Sequence, residues 1–193
     1  IRTAEGVFGC KLLSSSIGGK GGGGAIALDD SQCVLNIYGG EISGNNGYKS
    51  GGAVFLNNKD KKGGTVNMYG GTIANNKAQK GGVLYSECGG TVNLVGGTIT
   101  GNEATGSDGG VINMSGGTLT ISGTVITNNT AKQYGGAIYL YNGVTATMTG
   151  GEISNNRAVK EGGAVHVYGK HSTFNLSGGS ITGNSSQDGG AIY

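Results

Sequence analysis

The chain has 193 residues, of which 44 are glycine and none is proline or tryptophan; charged residues make up 12% and the formal net charge is +2. So small a charge excludes strong electrostatic capture of nucleic acid or of an anionic membrane surface. No apolar run approaches the ~18 residues of a membrane helix, and the glycines lack the triplet period of collagen.

In chain order, residues 1–22 stand apart. They begin with Ile1 rather than Met, show no signal-peptide pattern, and carry a short apolar patch (Val7, Phe8, Leu12, Leu13) before a glycine-rich run. They read as a degenerate first coil or N-terminal cap, and residues 23–193 as one repeat domain. From Gly23 onward the tetrapeptide GGAI or a close variant recurs, starting at Gly23, Gly51, Gly81, Gly109, Gly135, Gly162 and Gly189, in steps of 28, 30, 28, 26, 27 and 27 residues. A period of that size marks a solenoid, in which each turn packs only on its neighbours.

Each repeat divides into three short segments. The first follows the glycine pair, as in Ala137-Ile138-Tyr139-Leu140; the second reads like Thr65-Val66-Asn67-Met68; the third ends in asparagine, as in Thr72-Ile73-Ala74-Asn75-Asn76. All alternate apolar and polar residues over four or five positions, which is strand periodicity, and none is long enough for a helix. The predicted fold is all-β: a right-handed, single-stranded parallel β-helix with three short strands per coil and six to seven coils of 26–31 residues. At a strand spacing of ~4.8 Å this makes a rod of roughly 30 Å. Alternation places Ile26/Leu28, Val54/Leu56, Leu84, Ile112/Met114, Ile138/Leu140 and Val165/Val167 inside from the first strand, Leu35/Ile37, Val66/Met68, Val92/Leu94, Leu119/Ile121, Met148 and Phe174/Leu176 from the second, and Ile42, Ile73, Ile99, Ile126, Ile153 and Ile181 from the third. Three residues after each inward isoleucine of the third strand stands an asparagine: Asn45, Asn76, Asn102, Asn129, Asn156 and Asn184. Asparagine tolerates a left-handed backbone, and its amide can bond the coils above and below, so these six predict a structural ladder at one corner.

The GGA[ILV] motif paired with a third-strand motif ending in Asn, as in Ile153-Ser154-Asn155-Asn156, resembles the GGA[ILV]/FxxN repeats of polymorphic outer-membrane-protein-type adhesins and other right-handed parallel β-helix proteins of bacterial cell surfaces. The resemblance runs over residues 23–193 and departs in using IxxN for FxxN. It implies a secreted or cell-surface setting and a non-catalytic, adhesive or structural role, as a stiff stalk or a unit stacking end to end into a filament.

β-Helices also house polysaccharide lyases, whose chemistry needs clustered carboxylates, often with a metal, and a strong base. Here Glu41 and Glu152 share a repeat position four coils apart, only Arg2 and Arg157 are arginines, and His166 and His171 have no Ser/Asp companions at a triad spacing. No catalytic residue, metal or cofactor is expected, and a lyase-like activity is an alternative only. The three cysteines, Cys10, Cys33 and Cys88, show neither zinc spacing nor a disulfide framework; they read as buried or inert thiols, with a Cys10–Cys33 pairing geometrically open.

The outward columns carry the binding expectations. On the first strand the exposed positions read Ala27, Phe55, Tyr85, Asn113, Tyr139, His166 and Tyr193, an interrupted aromatic stripe. Phe55, Tyr85, Tyr139, His166 and Tyr193 are the expected contact residues for a glycan or protein of a host or cell surface, since aromatic faces beside polar groups suit sugar rings and protein partners. On the second strand, Thr65, Thr91, Thr118, Thr145 and Thr173 and the column Asn36, Asn67, Asn93, Thr120, Thr147 and Asn175 form a flat hydroxyl and amide array, for which ice binding is the alternative. Lys49, Lys77, Lys80, Lys132, Arg157 and Lys160 gather beside the asparagine corner as a solvated edge. The last strand, ending at Tyr193, would offer an open edge for end-to-end self-association.

Overall fold

The computed structural model describes residues 24–57, 63–87 and 89–193. The expected cap at 1–22 lies outside these residues, as do Cys10 and Cys88. The described chain is an all-β parallel solenoid of about six turns with three parallel sheets and no helix.

The first sheet stacks Ile26–Leu28, Val54–Leu56, Leu84–Ser86, Ile112–Ser115, Ile138–Tyr141 and Val165–Tyr168 in chain order. Its register is unbroken, with Ile138 facing Ile112 on one side and Val165 on the other. The second sheet wraps two sides of the rod. Val34–Ile37, Thr65–Met68, Thr91–Leu94 and Thr118–Ile121 form one side, and Glu41–Ser43, Thr72–Ala74, Thr98–Thr100 and Val125–Thr127 the other. In Thr145–Ser154 and Thr173–Thr182 the two segments run on without a break, which makes them one sheet. The third sheet is built of two-residue strands beyond the asparagine corner: Lys77–Ala78, Glu103–Ala104, Thr130–Ala131 and Arg157–Ala158. Each turns an alanine inward, and all four are buried.

One contiguous apolar core fills the rod. Leu176, expected inside, is 52% exposed in a strand that pairs on one side only, whereas Leu28, Leu56, Met114 and Leu140 enter the core from the first sheet, and Met68, Ile121, Met148, Ile99 and Ile126 from the second, all fully buried. Each such side chain contributes about 1.5–3 kcal/mol relative to exposure.

The corners explain the glycines and asparagines. The first glycine of a pair, for example Gly135, turns the chain at φ +60°, a conformation that costs other residues dearly. The second faces its counterpart one coil on: a Cβ built on Gly136 would run into the carbonyl oxygen of Gly163. At the corner after the third strand the asparagine amides form a continuous chain, buried from Asn76 to Asn156. Asn102 Nδ2 donates to Asn129 Oδ1 and Asn129 Nδ2 to Asn156 Oδ1, both at 2.9 Å. The same oxygens accept the backbone N–H of the coil before, and each Nδ2 also reaches an isoleucine carbonyl, as from Asn129 to Ile99 at 3.1 Å. The left-handed residue is the one before each ladder asparagine: Gly44, Asn75, Gly101, Asn128, Asn155 or Gly183. The expectation placed that conformation on the ladder residue itself. The preceding residue takes the turn, which leaves the ladder side chain free to point inward.

Cys33 also departs from expectation. It is buried, but it is disulfide-bonded rather than a thiol.

Candidate functional site

A single local motif shapes the outward side of the first sheet. The residue before each glycine pair lies on a loop that folds back over the residue five positions later, so each coil brings an i/i+5 pair together. The pairs are Ser50 with Phe55, Lys80 with Tyr85, Asp108 with Asn113, Tyr134 with Tyr139, and Glu161 with His166. The loop residues stack in their own column through parallel bridges, Ser50 to Lys80 and Asp108 to Tyr134 to Glu161 to Asp188. Beside it the strand residues stack in register from Ala27 through Phe55, Tyr85, Asn113 and Tyr139 to His166.

The consequence is a correction to the exposed aromatic stripe. Phe55 and Tyr85 are 5% and 6% exposed and form a small apolar cluster with Ala27, and His166 is 3% exposed. Alternation along a strand determines which side chains leave the core; it does not determine whether a loop covers them. Tyr139 is half-buried and Tyr193 exposed.

Around Tyr139 the structure gathers aromatic side chains from three coils. Tyr134 lies 6.3 Å from Tyr139 between ring centroids, Tyr141 at 5.5 Å and Tyr168 at 6.3 Å. His166 sits beneath, 5.1 Å from Tyr134, 5.2 Å from Tyr139 and 5.2 Å from Tyr193. Lys160 Nζ stands 5.3 Å over the Tyr134 ring. Tyr168 is exposed, and Tyr134 and Tyr141 are half-buried. The sequence reading missed Tyr134, Tyr141 and Tyr168. The signal was present for two of them: Tyr141 and Tyr168 stand two residues after Tyr139 and His166, hence on the same outward side of the strand.

The polar groups under this cluster are perturbed. His166 Nδ1 lies 3.6 Å from Glu161 Oε2. Burial lowers the imidazole pKa below its ordinary 6.5, and the Glu161 carboxylate offsets only part of this. Burial likewise raises the Asp108 carboxyl above its ordinary 3.8, opposed by a hydrogen bond from Ser107 and by Lys80 and Lys160. Tyr139 is raised well above its ordinary value, first by burial, then by Asp108 and its neighbouring tyrosines. Its phenol therefore stays a neutral hydrogen-bond donor at physiological pH. The arrangement offers aromatic surface with phenolic hydroxyls at its rim, a combination capable of stacking and hydrogen bonding.

Two coils lower, Phe55 and Tyr85 stack in parallel at 5.8 Å and wall a cleft of about 440 Å³ with Lys49, Lys80, Gln79, Asn57 and Glu87. Elsewhere, the outward amides of the second sheet engage one another, Asn67 Nδ2 donating to Asn36 Oδ1 and Asn93 Nδ2 to Asn67 Oδ1, both at 2.8 Å. Of the edge cations, Lys77 pairs with Glu103 at 2.9 Å. Among the described residues, no group of three or more His, Cys, Asp or Glu side chains is placed to hold a metal ion.

Residues 123–141 match the family model described as the Chlamydia polymorphic membrane protein repeat. This segment carries the Ile126/Asn129 corner, the fold-back from Tyr134 to Tyr139, and the Gly135-Gly136 turn, so the resemblance read from the motifs holds at the junction where all three meet. No curated protein and no solved structure matches the chain.

Proposed function

We propose that this chain is a non-catalytic adhesive module of a surface-associated or secreted protein. It makes contact with a glycan or protein of an opposing surface through the rim formed by Tyr134, Tyr139, Tyr141, Tyr168 and Tyr193. The observation that carries the reading is the concentration of six aromatic side chains, His166 included, within three successive coils on one side of the rod. Only Tyr168 and Tyr193 of these are fully exposed; the others form a packed support that fixes them. Rigid, amphipathic tyrosines lose little conformational entropy on contact, which favours their use in recognition. The repeat match agrees with this reading, since repeats of that type are generally non-catalytic and belong to membrane- or surface-associated proteins. The remainder of the rod serves as a stiff scaffold.

The test is binding of the purified chain to a glycan array and to cultured epithelial cells, with Tyr168→Ala and Tyr139→Ala/Tyr168→Ala variants. Retention should fall at least tenfold in the double variant with the β spectrum intact. Unchanged retention would remove this rim as the contact surface.

A further inference from the structure

The cleft beside Phe55 and Tyr85 differs in chemistry from the tyrosine rim. Its wall is the parallel ring pair, buried and therefore rigid. Among the described residues its mouth carries two exposed ammonium groups, Lys49 and Lys80, and one carboxylate, that of Glu87. Among the described residues neither lysine has an ion-pair partner; Lys80 Nζ instead stands 5.8 Å from the centre of the Tyr85 ring. Neutral hydrogen-bonding groups complete the lining: Ser50, Gln79 and Asn57, the last donating to Asp29 Oδ1 at 2.7 Å. The volume falls within the range of small-ligand sites, about 300–1,000 Å³.

We infer that this cleft binds an acidic saccharide unit, a sugar ring bearing a carboxylate or a sulfate. Only the edges of the largely buried ring pair reach the cleft and supply a small apolar contact for the C–H bonds of the sugar; the amides and the serine pair with its hydroxyls, and Lys49 and Lys80 take the anion by charge-assisted hydrogen bonds. Among the described residues the lysines face the Glu87 carboxylate at the mouth, and Asp108 interacts with Lys80; an acidic sugar adds a counter-charge that a neutral one lacks. The inference rests on the adhesive reading of this side of the rod, but its residues are separate from the tyrosine rim. Loss of binding in the Tyr139 and Tyr168 variants therefore tests the rim alone, and the lysine variants test the cleft alone.

The experiment is calorimetric titration of the full chain with three hexasaccharides: heparin-derived, carrying sulfate and carboxylate; hyaluronan-derived, carrying carboxylate only; and maltohexaose, which is neutral. At least one acidic probe should bind saturably, at least tenfold more tightly than maltohexaose, and weaken as salt is raised from 50 to 500 mM, since the mouth is solvent-exposed. Comparison of the two acidic probes tells which anion is recognised. Lys49→Gln and Lys80→Gln should each weaken that probe by about tenfold, whereas Tyr168→Ala should not. Because both lysines are exposed, the variants should fold, and amide shifts at Gln79 and Tyr85 give a second readout of occupancy. Absence of binding by both acidic probes, equal binding of maltohexaose, or unchanged affinity in both lysine variants would overturn the assignment.

Discussion

Asp108 and Asn113 stand five residues apart across one fold-back, and each buries a side-chain oxygen that accepts no hydrogen bond among the described residues. The Asn113 amide donates instead to the Asp108 backbone carbonyl at 3.3 Å. Each is a buried acceptor left without a donor among the described residues, which costs stability.

Replacing Asp108 by asparagine supplies a donor and removes a buried charge. The folded carboxyl is raised above 3.8, so its contribution to stability is fully present below that pH and is lost as pH rises through the raised value. Asp108→Asn should therefore raise stability by about 1 kcal/mol at pH 7, and the difference should vanish below pH 3.8. Thermal melts across that interval check both parts.

His166 runs the other way. Its folded pKa is lowered, so its contribution is present above 6.5 and is lost as pH falls through the lowered value. The wild-type chain should lose stability on acidification below pH 6.5, and His166→Phe should flatten that limb. Glu161→Gln removes the group that props the imidazole up, and so should move the histidine titration, followed by its ring proton resonances, to lower pH.

The asparagine chain should be unequal along its length. Asn129 is fully buried and both donates to and accepts from neighbouring coils, whereas Asn45 is half-buried. Asn129→Ala strands the buried backbone N–H of Asn102 and leaves the Ile99 carbonyl short of a donor; it should cost about 3 kcal/mol, against about 1 kcal/mol for Asn45→Ala. Denaturant midpoints at constant slope give the comparison.

The glycines should divide as sharply. Gly136→Ala places a methyl against the Gly163 carbonyl, where only backbone movement could relieve it, and should abolish folding or cost more than about 3 kcal/mol. Gly39→Ala meets nothing within 4 Å and should be neutral or stabilising by up to about 1 kcal/mol. Expression yield and melting temperature separate the two.

The fold was legible because its core is a period. Ile99, Ile126 and Ile153 are stacked in the sequence as they are in space, and alternation around Leu140 and Met148 was enough to assign sides. The contact surface was legible only in part. Tyr139 and His166 face away from the core as read, but the burial of His166 follows from Glu161 and the loop above it, a contact created by the turn at Gly162. Strand periodicity carries no information about what a loop lays over a strand. The spacing of the cysteines favours buried thiols and leaves a Cys10–Cys33 pairing open; Cys33 is disulfide-bonded, and the other two cysteines lie outside the described residues.

The backbone hydrogen bonds between coils run along the long axis, from Val111 to Ala137 and from Ala137 to Ala164, the last two standing 27 positions apart. A load applied to the two chain ends would meet these bonds one layer at a time. Force spectroscopy should then record a ladder of small yield events, each releasing roughly 9 nm of contour at ~3.4 Å per residue. Such a tether gives way gradually under tension and can rewind when the pull slackens.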